Sequence, residues 1–208
     1  IIVYVDGFNL YFRRLRNTPY RWLDLATLFQ HKFPDDAVVA VRYFTARVGG
    51  KFDPLKPVRQ QAYLRALEST PLVKIHYGNF LTKPARYKLI DPITSADGTL
   101  YESVDVWRPE EKGSDINLGV HMLNDAWKDL FDVAAVVTND TDLVEPMKLV
   151  TELGKKVFIV HPDANPARSL VQYATYRVRL HDSDLRAAQL PDVIELASGK
   201  IVRKPNGF

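Results

Sequence analysis

The sequence predicts an α/β fold with a mostly parallel central sheet, and three observations carry that prediction. Short apolar runs bounded by turn residues recur along the chain, among them IIVYV, VAAVV and KVFIV. Segments with apolar residues at helical spacing separate these runs, the alternation of βα units. The runs are continuous rather than alternating, as in strands covered on both faces. With 208 residues, 46% hydrophobic and 25% charged, one domain with a substantial core is expected. We assign residues 1–190 to that domain and expect an irregular polar tail over 191–208.

The elements follow in order. Ile1–Val5 reads as the first buried strand, closed by Asp6-Gly7, and FNLYFRRLR continues as a helix. Asp24 is placed to cap a second helix in DLATLFQHKF, with Leu25, Leu28 and Phe29 on its apolar face. AVVAVRYFTA is the second strand. A third helix is expected to start after Pro57 and stop before Pro71, and VKIHYGNF is the third strand. Residues 81–114 interrupt the rhythm: two β-rich stretches flank Asp97-Gly98, a hairpin-turn signal, so a β-hairpin is expected to insert into or extend the sheet. A helix over 116–130, the strand VAAVVT, a helix over 142–153 closed by Gly154, and the strand KVFIVHP follow. A short helix in NPARSLVQYA and a last short strand in YRVRL complete the domain.

Composition narrows the chemistry. No cysteine is present, which excludes disulfides, a cysteine nucleophile and a thiolate zinc site. The same absence of cysteine fits a cytoplasmic location, and no apolar run approaches the roughly 20 residues of a membrane helix, so no membrane association is expected. No dinucleotide or P-loop glycine motif occurs, so no nucleotide cofactor is expected. Residues 1–100 hold 15 Lys/Arg against 8 Asp/Glu, a balance of +7, whereas the remainder balances at −4. A basic half favours a polyanion and an acidic half can supply cation ligands.

Four aspartates stand where strands end or helices begin. Asp6 follows the first strand, Asp115 opens the helix after EKGSD, and Asp140 and Asp142 follow VAAVVT. Each alone reads as a helix cap. Together at one sheet edge they would repel one another without a counter-ion, and hard cations such as Mg²⁺ or Mn²⁺ suit oxygen ligands. Such a metal favours phosphodiester hydrolysis. Asn9 either braces Asp6 and its loop or is a cap. Lys112 either meets a phosphate or is a solvated loop lysine. Thr138 either orients a water or an aspartate, or merely finishes its strand. Arg13 and Arg16, three apart on the expected helix, share a face that could hold the backbone of single-stranded RNA, with Arg14 pointing elsewhere. The rings of Tyr11 and Phe12 are expected to be partly buried.

Three ordered motifs, VYVDGFNLY, KGSDINL and VVTNDTDLVEPMKLVTELGKKVFIV, resemble the NYN domain, in the LabA-like branch of the PIN-like ribonucleases. The resemblance spans roughly residues 1–182 and implies a PIN-like three-layer α/β/α sandwich and metal-dependent RNA cleavage. It carries a catalytic and metal-binding role onto Asp6, Asp115, Asp140 and Asp142, and a supporting catalytic-site role onto Asn9. Lys112 matches the lysine of the family's lysine–glycine–x–aspartate motif. The chain departs where the family commonly has serine-glycine before the third aspartate and phenylalanine after the fourth: Thr138-Asn139 and Leu143 stand there. The expected function is a Mg²⁺- or Mn²⁺-dependent ribonuclease; the alternative is an RNA-binding or regulatory module with an inactive pocket. RNA is the expected partner, and a homo-oligomer is left open.

Overall fold

The computed structural model describes all of residues 1–208. Six strands form one parallel sheet in the order β3-β2-β1-β6-β7-β8: β1 (Ile2–Asp6), β2 (Ala40–Thr45), β3 (Val73–Tyr77), β6 (Val133–Val137), β7 (Lys156–His161) and β8 (Tyr176–Arg179). The pleat sorts the side chains of β1 between two cores. Val3 and Val5 face α2 (Leu25–Lys32), α3 (Leu55–Glu68) and α7 (Asp182–Ala187), while Ile2 and Tyr4 face α4 (Ser114–Trp127) and α5 (Val144–Glu152). Helices on both faces explain why the strands read as unbroken apolar runs. The order reverses between β1 and β6, so the crevice beyond their carboxyl ends is where open α/β sheets place ligands.

Several elements differ from the sequence reading. The first helix is four residues, α1 (Gly7–Leu10), and then widens into a π-helical turn over Tyr11–Leu15. Helix α3 starts at Leu55 and accommodates Pro57 in its first turn, where a missing N–H costs nothing. Helix α4 starts at Ser114 and ends at Trp127. The hairpin, β4 (Asn79–Thr94) with β5 (Leu100–Lys112), pairs with itself and joins no strand of the main sheet. Helix α6 spans Arg168–Val171, and α7 was absent from the sequence reading. The tail is not irregular: β9 (Val193–Glu195) and β10 (Ile201–Arg203) form a hairpin, and Phe208 packs its ring on Trp22 and Tyr63. Polar composition hid it, because Val202 is the single tail residue buried beyond Pro191. No helix is long and apolar enough to cross a membrane.

Candidate active site

Asp6 ends β1 and caps α1, leaving it 8% exposed at the point where the strand order reverses. One carboxylate oxygen accepts the Asn9 N–H at 2.9 Å and the other accepts the Thr138 hydroxyl at 3.2 Å. The same hydroxyl accepts the Asp140 N–H at 3.0 Å, so one threonine joins the two aspartates across the crevice. Asp140 in turn caps the short 3₁₀ turn Thr141–Leu143, its Oδ1 accepting the Asp142 N–H at 3.1 Å. Burial pushes the Asp6 carboxyl up to about 6; the Asn9 and Thr138 hydrogen bonds oppose that shift, and the charges of Asp140 and Glu111 add to it.

A second set of bonds fixes the loop that carries Asp140. The Asn9 side chain accepts the Asn139 N–H at 3.0 Å. Asn139 accepts the Ala167 N–H at 2.6 Å and donates to Asp163 at 2.6 Å, and Arg13 donates to the same Asp163 oxygen at 2.8 Å. The asparagine that departs from the serine-glycine pattern thus ties the end of β6 to the segment after β7.

The four aspartates do not form one cluster. No three His, Cys, Asp or Glu side chains are gathered closely enough to hold a metal ion. Asp142 is exposed and contributes its backbone N–H to Asp140. Asp115 accepts the N–H of its neighbour Ile116 at 2.8 Å and makes no bond across the crevice. It lies one turn before Gly119, where an added Cβ would meet Pro146 at 2.9 Å, so its helix face is the one turned to the 141–146 segment.

Glu111 is the acidic neighbour that sequence reading missed. Its Oε1 accepts the Ser114 N–H at 3.0 Å at the start of α4, and its charge reaches Asp6. A carboxylate three residues before a helix beginning was the available signal. Lys112 faces away, 3.6 Å from the Glu110 carboxylate that also pairs with Lys83 and Arg108.

The arginines are arranged differently from a regular helix. Arg13 pairs with Asp163 and Arg14 with Asp182, whereas Arg16 lies over the Phe12 ring, 5.6 Å from its centroid. The π-turn, closed by i to i+5 bonds, breaks the i, i+3 relation that would have set Arg13 and Arg16 side by side. Phe12 is 52% exposed and stacks on Phe8 at 6.2 Å, and Phe8 stacks on Phe80 at 6.3 Å. A ladder of three rings thus runs from the π-turn through α1 to the start of β4.

A family profile described as the NYN domain matches residues 1–181. The chain belongs to the NYN-domain family. The family is in general one of PIN-like nucleases, and the six-stranded sheet with helices on both faces fits that architecture. This NYN chain is also 29% identical to a Pseudomonas putida protein named 6-hydroxy-3-succinoylpyridine 3-monooxygenase HspA, over 92% of this chain and 70% of the other. Its fold matches the crystal structure of a protein of unknown function from Vibrio parahaemolyticus RIMD 2210633, with a TM-score of 0.53 and 17% identity over 91% of this chain and 94% of that one. At that identity the likeness concerns the fold alone.

Proposed function

We propose that this NYN domain, of the LabA-like branch its motifs resemble, is a divalent-metal-dependent ribonuclease acting at Asp6. The observation that carries the reading is the buried Asp6 carboxylate, joined through Thr138 to Asp140 at the reversal point of the sheet. Burial and two neighbouring carboxylates raise the cost of its charge, which a bound cation relieves. Asp6 and Asp140 suit a hydrated Mg²⁺ or Mn²⁺, ions held by one or two carboxylates together with waters and substrate phosphates. When bound, such an ion lowers the pKa of water and stabilises charge on phosphoryl oxygen.

The protein's own groups do the positioning. Each Asp6 oxygen spends one lone pair on an internal donor and keeps another for the crevice. Asn9 and Asn139 hold the Asp140 loop at a fixed height above β1. Arg16 and the Phe12–Phe8–Phe80 ladder offer a cation and stacking faces to single-stranded RNA beside that crevice. The test is cleavage of end-labelled RNAs with Mg²⁺, with Mn²⁺ and with chelator. Metal-dependent cleavage lost in Asp6→Asn supports the reading; binding without turnover in any metal assigns the chain to the RNA-binding alternative.

A second reading is favoured by the name of the Pseudomonas putida relative. On it, this chain acts on a pyridine ring bearing an acidic arm, with dioxygen as oxidant and two electrons from a separately supplied reductant. Incubation with 6-hydroxy-3-succinoylpyridine, oxygen and NADH, with and without added flavin, decides it by the mass of the product.

A further inference from the structure

We infer that the cavity between α1, β2 and α3 binds a planar aromatic ring carrying an anionic arm. The cavity has a volume of about 330 Å³, within the range of roughly 300–1,000 Å³ usual for small-ligand clefts. Rings of Phe8, Tyr11, Phe12, Tyr43, Tyr63 and Phe208 line it, faces and edges against which a flat ring packs. Its charge is one-sided: Arg16, Arg21, Lys56 and Arg59 against the single carboxylate of Asp53.

These four cations are not equivalent. Arg59 is neutralised by Asp53. Arg21 is spent on backbone carbonyls, of Thr18 at 3.2 Å and Gly207 at 2.7 Å. Arg16 and Lys56 are exposed, and neither has an ion-pair partner in the protein. Lys56 stands in the first turn of α3, where the helix dipole favours an anion and disfavours a lysine. A residue that opposes local stability beside an aromatic cavity points to a ligand. The anion it would face also gains from the dipole of the 14-residue α3.

The walls are held independently of any ligand. Gln60 accepts the Val48 N–H at 2.9 Å and donates to the Ala46 carbonyl at 2.9 Å, which fixes the rim over α3. Tyr63 donates to the Leu23 carbonyl at 3.0 Å. Tyr43 lies against Gly7, where an added Cβ would fall 2.6 Å from its ring, so the floor depends on the missing side chain of Gly7. That floor adjoins Asp6, and the ring-binding role holds on either reading of the function. Two sources share the chemistry: the base and phosphate of a nucleotide unit, or a free aromatic acid.

Calorimetric titration of the full chain, in chelator so that nothing is cleaved, tests the inference. The probes are 5′-UMP, 5′-AMP, phenyl phosphate and 3-benzoylpropionate, with inorganic phosphate, succinate and benzyl alcohol as single-feature controls. Probes with ring and charge are expected to bind at least about tenfold more tightly than either feature alone. The Arg16→Ala, Lys56→Ala double variant should lose that advantage, and Phe12→Ala should weaken the ring-bearing probes; all three side chains are exposed, and a melt confirms the fold. Tighter nucleotides assign the ring to nucleic acid, and tighter aromatic acids assign it to a free metabolite. No binding by any probe, or unchanged binding in the double variant, overturns the inference. A failed cleavage assay leaves these titrations standing, so the two proposals fail separately.

Discussion

Asp6 and Gly7 are neighbours in the chain and open onto two unlike crevices. On the Asp6 side stand Thr138, Asp140 and Glu111, a place that repels anions until a cation arrives. On the Gly7 side stand six aromatic rings with Arg16 and Lys56, a place that attracts them. The end of one strand therefore serves both. Successive residues of a strand point to opposite faces, and the turn into α1 carries that divergence past the sheet edge. Position in the fold alone does not fix function at this edge; the residue types facing each side do.

The largest effect expected from this contrast is at Asp6. Asp6→Asn should reduce RNA cleavage by about 10²–10⁴-fold while leaving the aromatic cavity competent for its probes. Its effect on stability has the opposite sign. The folded carboxyl, at about 6, lies above its unfolded value near 3.8, so its contribution is complete below the unfolded value and is lost as pH rises through 6. In chelator at pH 8 the asparagine variant should melt a few degrees higher than the parent, and at about pH 3, below both values, the difference should vanish. A variant that cleaves RNA as the parent does breaks the assignment of the acidic side. Gly7→Ala comes next. An added Cβ would meet the Phe44 carbonyl at 2.7 Å and the Tyr43 ring at 2.6 Å, an overpacking worth about 1–3 kcal/mol. A Tm lowered by several degrees, with both probe binding and cleavage impaired, is expected; an unchanged Tm would show that Tyr43 yields freely.

Glu111→Gln should have a smaller, graded effect. Glutamine keeps an oxygen for the Ser114 N–H, so α4 retains its start. Removing the charge lets Asp6 ionise at lower pH, because one of two like-charge neighbours is gone. In chelator, the loss of stability with rising pH should therefore end at lower pH and be smaller in total than in the parent. A pH–Tm curve superimposable on the parent's would separate Glu111 from the acidic crevice.

The acidic side was partly legible in the sequence and the aromatic side was not, for a physical reason. Asp6, Asn9, Thr138 and Asp140 lie in short segments at strand ends, where apolar run, turn and carboxylate follow one another within a few residues. The sheet was legible for the same reason, since a strand buried on both faces leaves a continuous apolar signature. Glu111 escaped because it belongs to a long exposed ribbon whose composition resembles any solvated hairpin. Asp115 and Asp142 were expected in the cluster because they stand with Asp6 and Asp140 near strand ends of one sheet and in motifs that resemble the family's. Both have the local bonds of helix starts, one bonding its own neighbour and the other lending its backbone to Asp140. The cavity draws one or two residues from each of several elements, including Phe208 at the far end of the chain, and no local pattern announces it. The tail was misread because three-residue strands with one buried side chain give too little periodicity to see.

The smallest effects separate two arginines that the sequence treated as a pair. Arg13 is held by Asp163, an exposed ion pair worth about 0–1 kcal/mol, and its charge is already met. Arg16 has an aromatic ring beneath it and no carboxylate partner. Counterion release counts the charges delivered to phosphates, with a salt slope of roughly −0.7 per phosphate for a single strand. Arg16→Ala should therefore flatten the salt dependence of RNA binding by close to one phosphate contact. Arg13→Ala should leave the slope nearly unchanged, because Asp163 already meets its charge and Arg13 delivers none to phosphate. The measurement is affinity for two unrelated single-stranded RNAs across a salt series, in chelator. Phosphate contacts carry no base identity, so both RNAs should lose the same increment. Equal flattening by the two substitutions would place Arg13 on the RNA path despite its ion pair. No flattening by either would move the path off the π-turn that follows α1, towards Lys83, Arg86 and Lys88 on the hairpin.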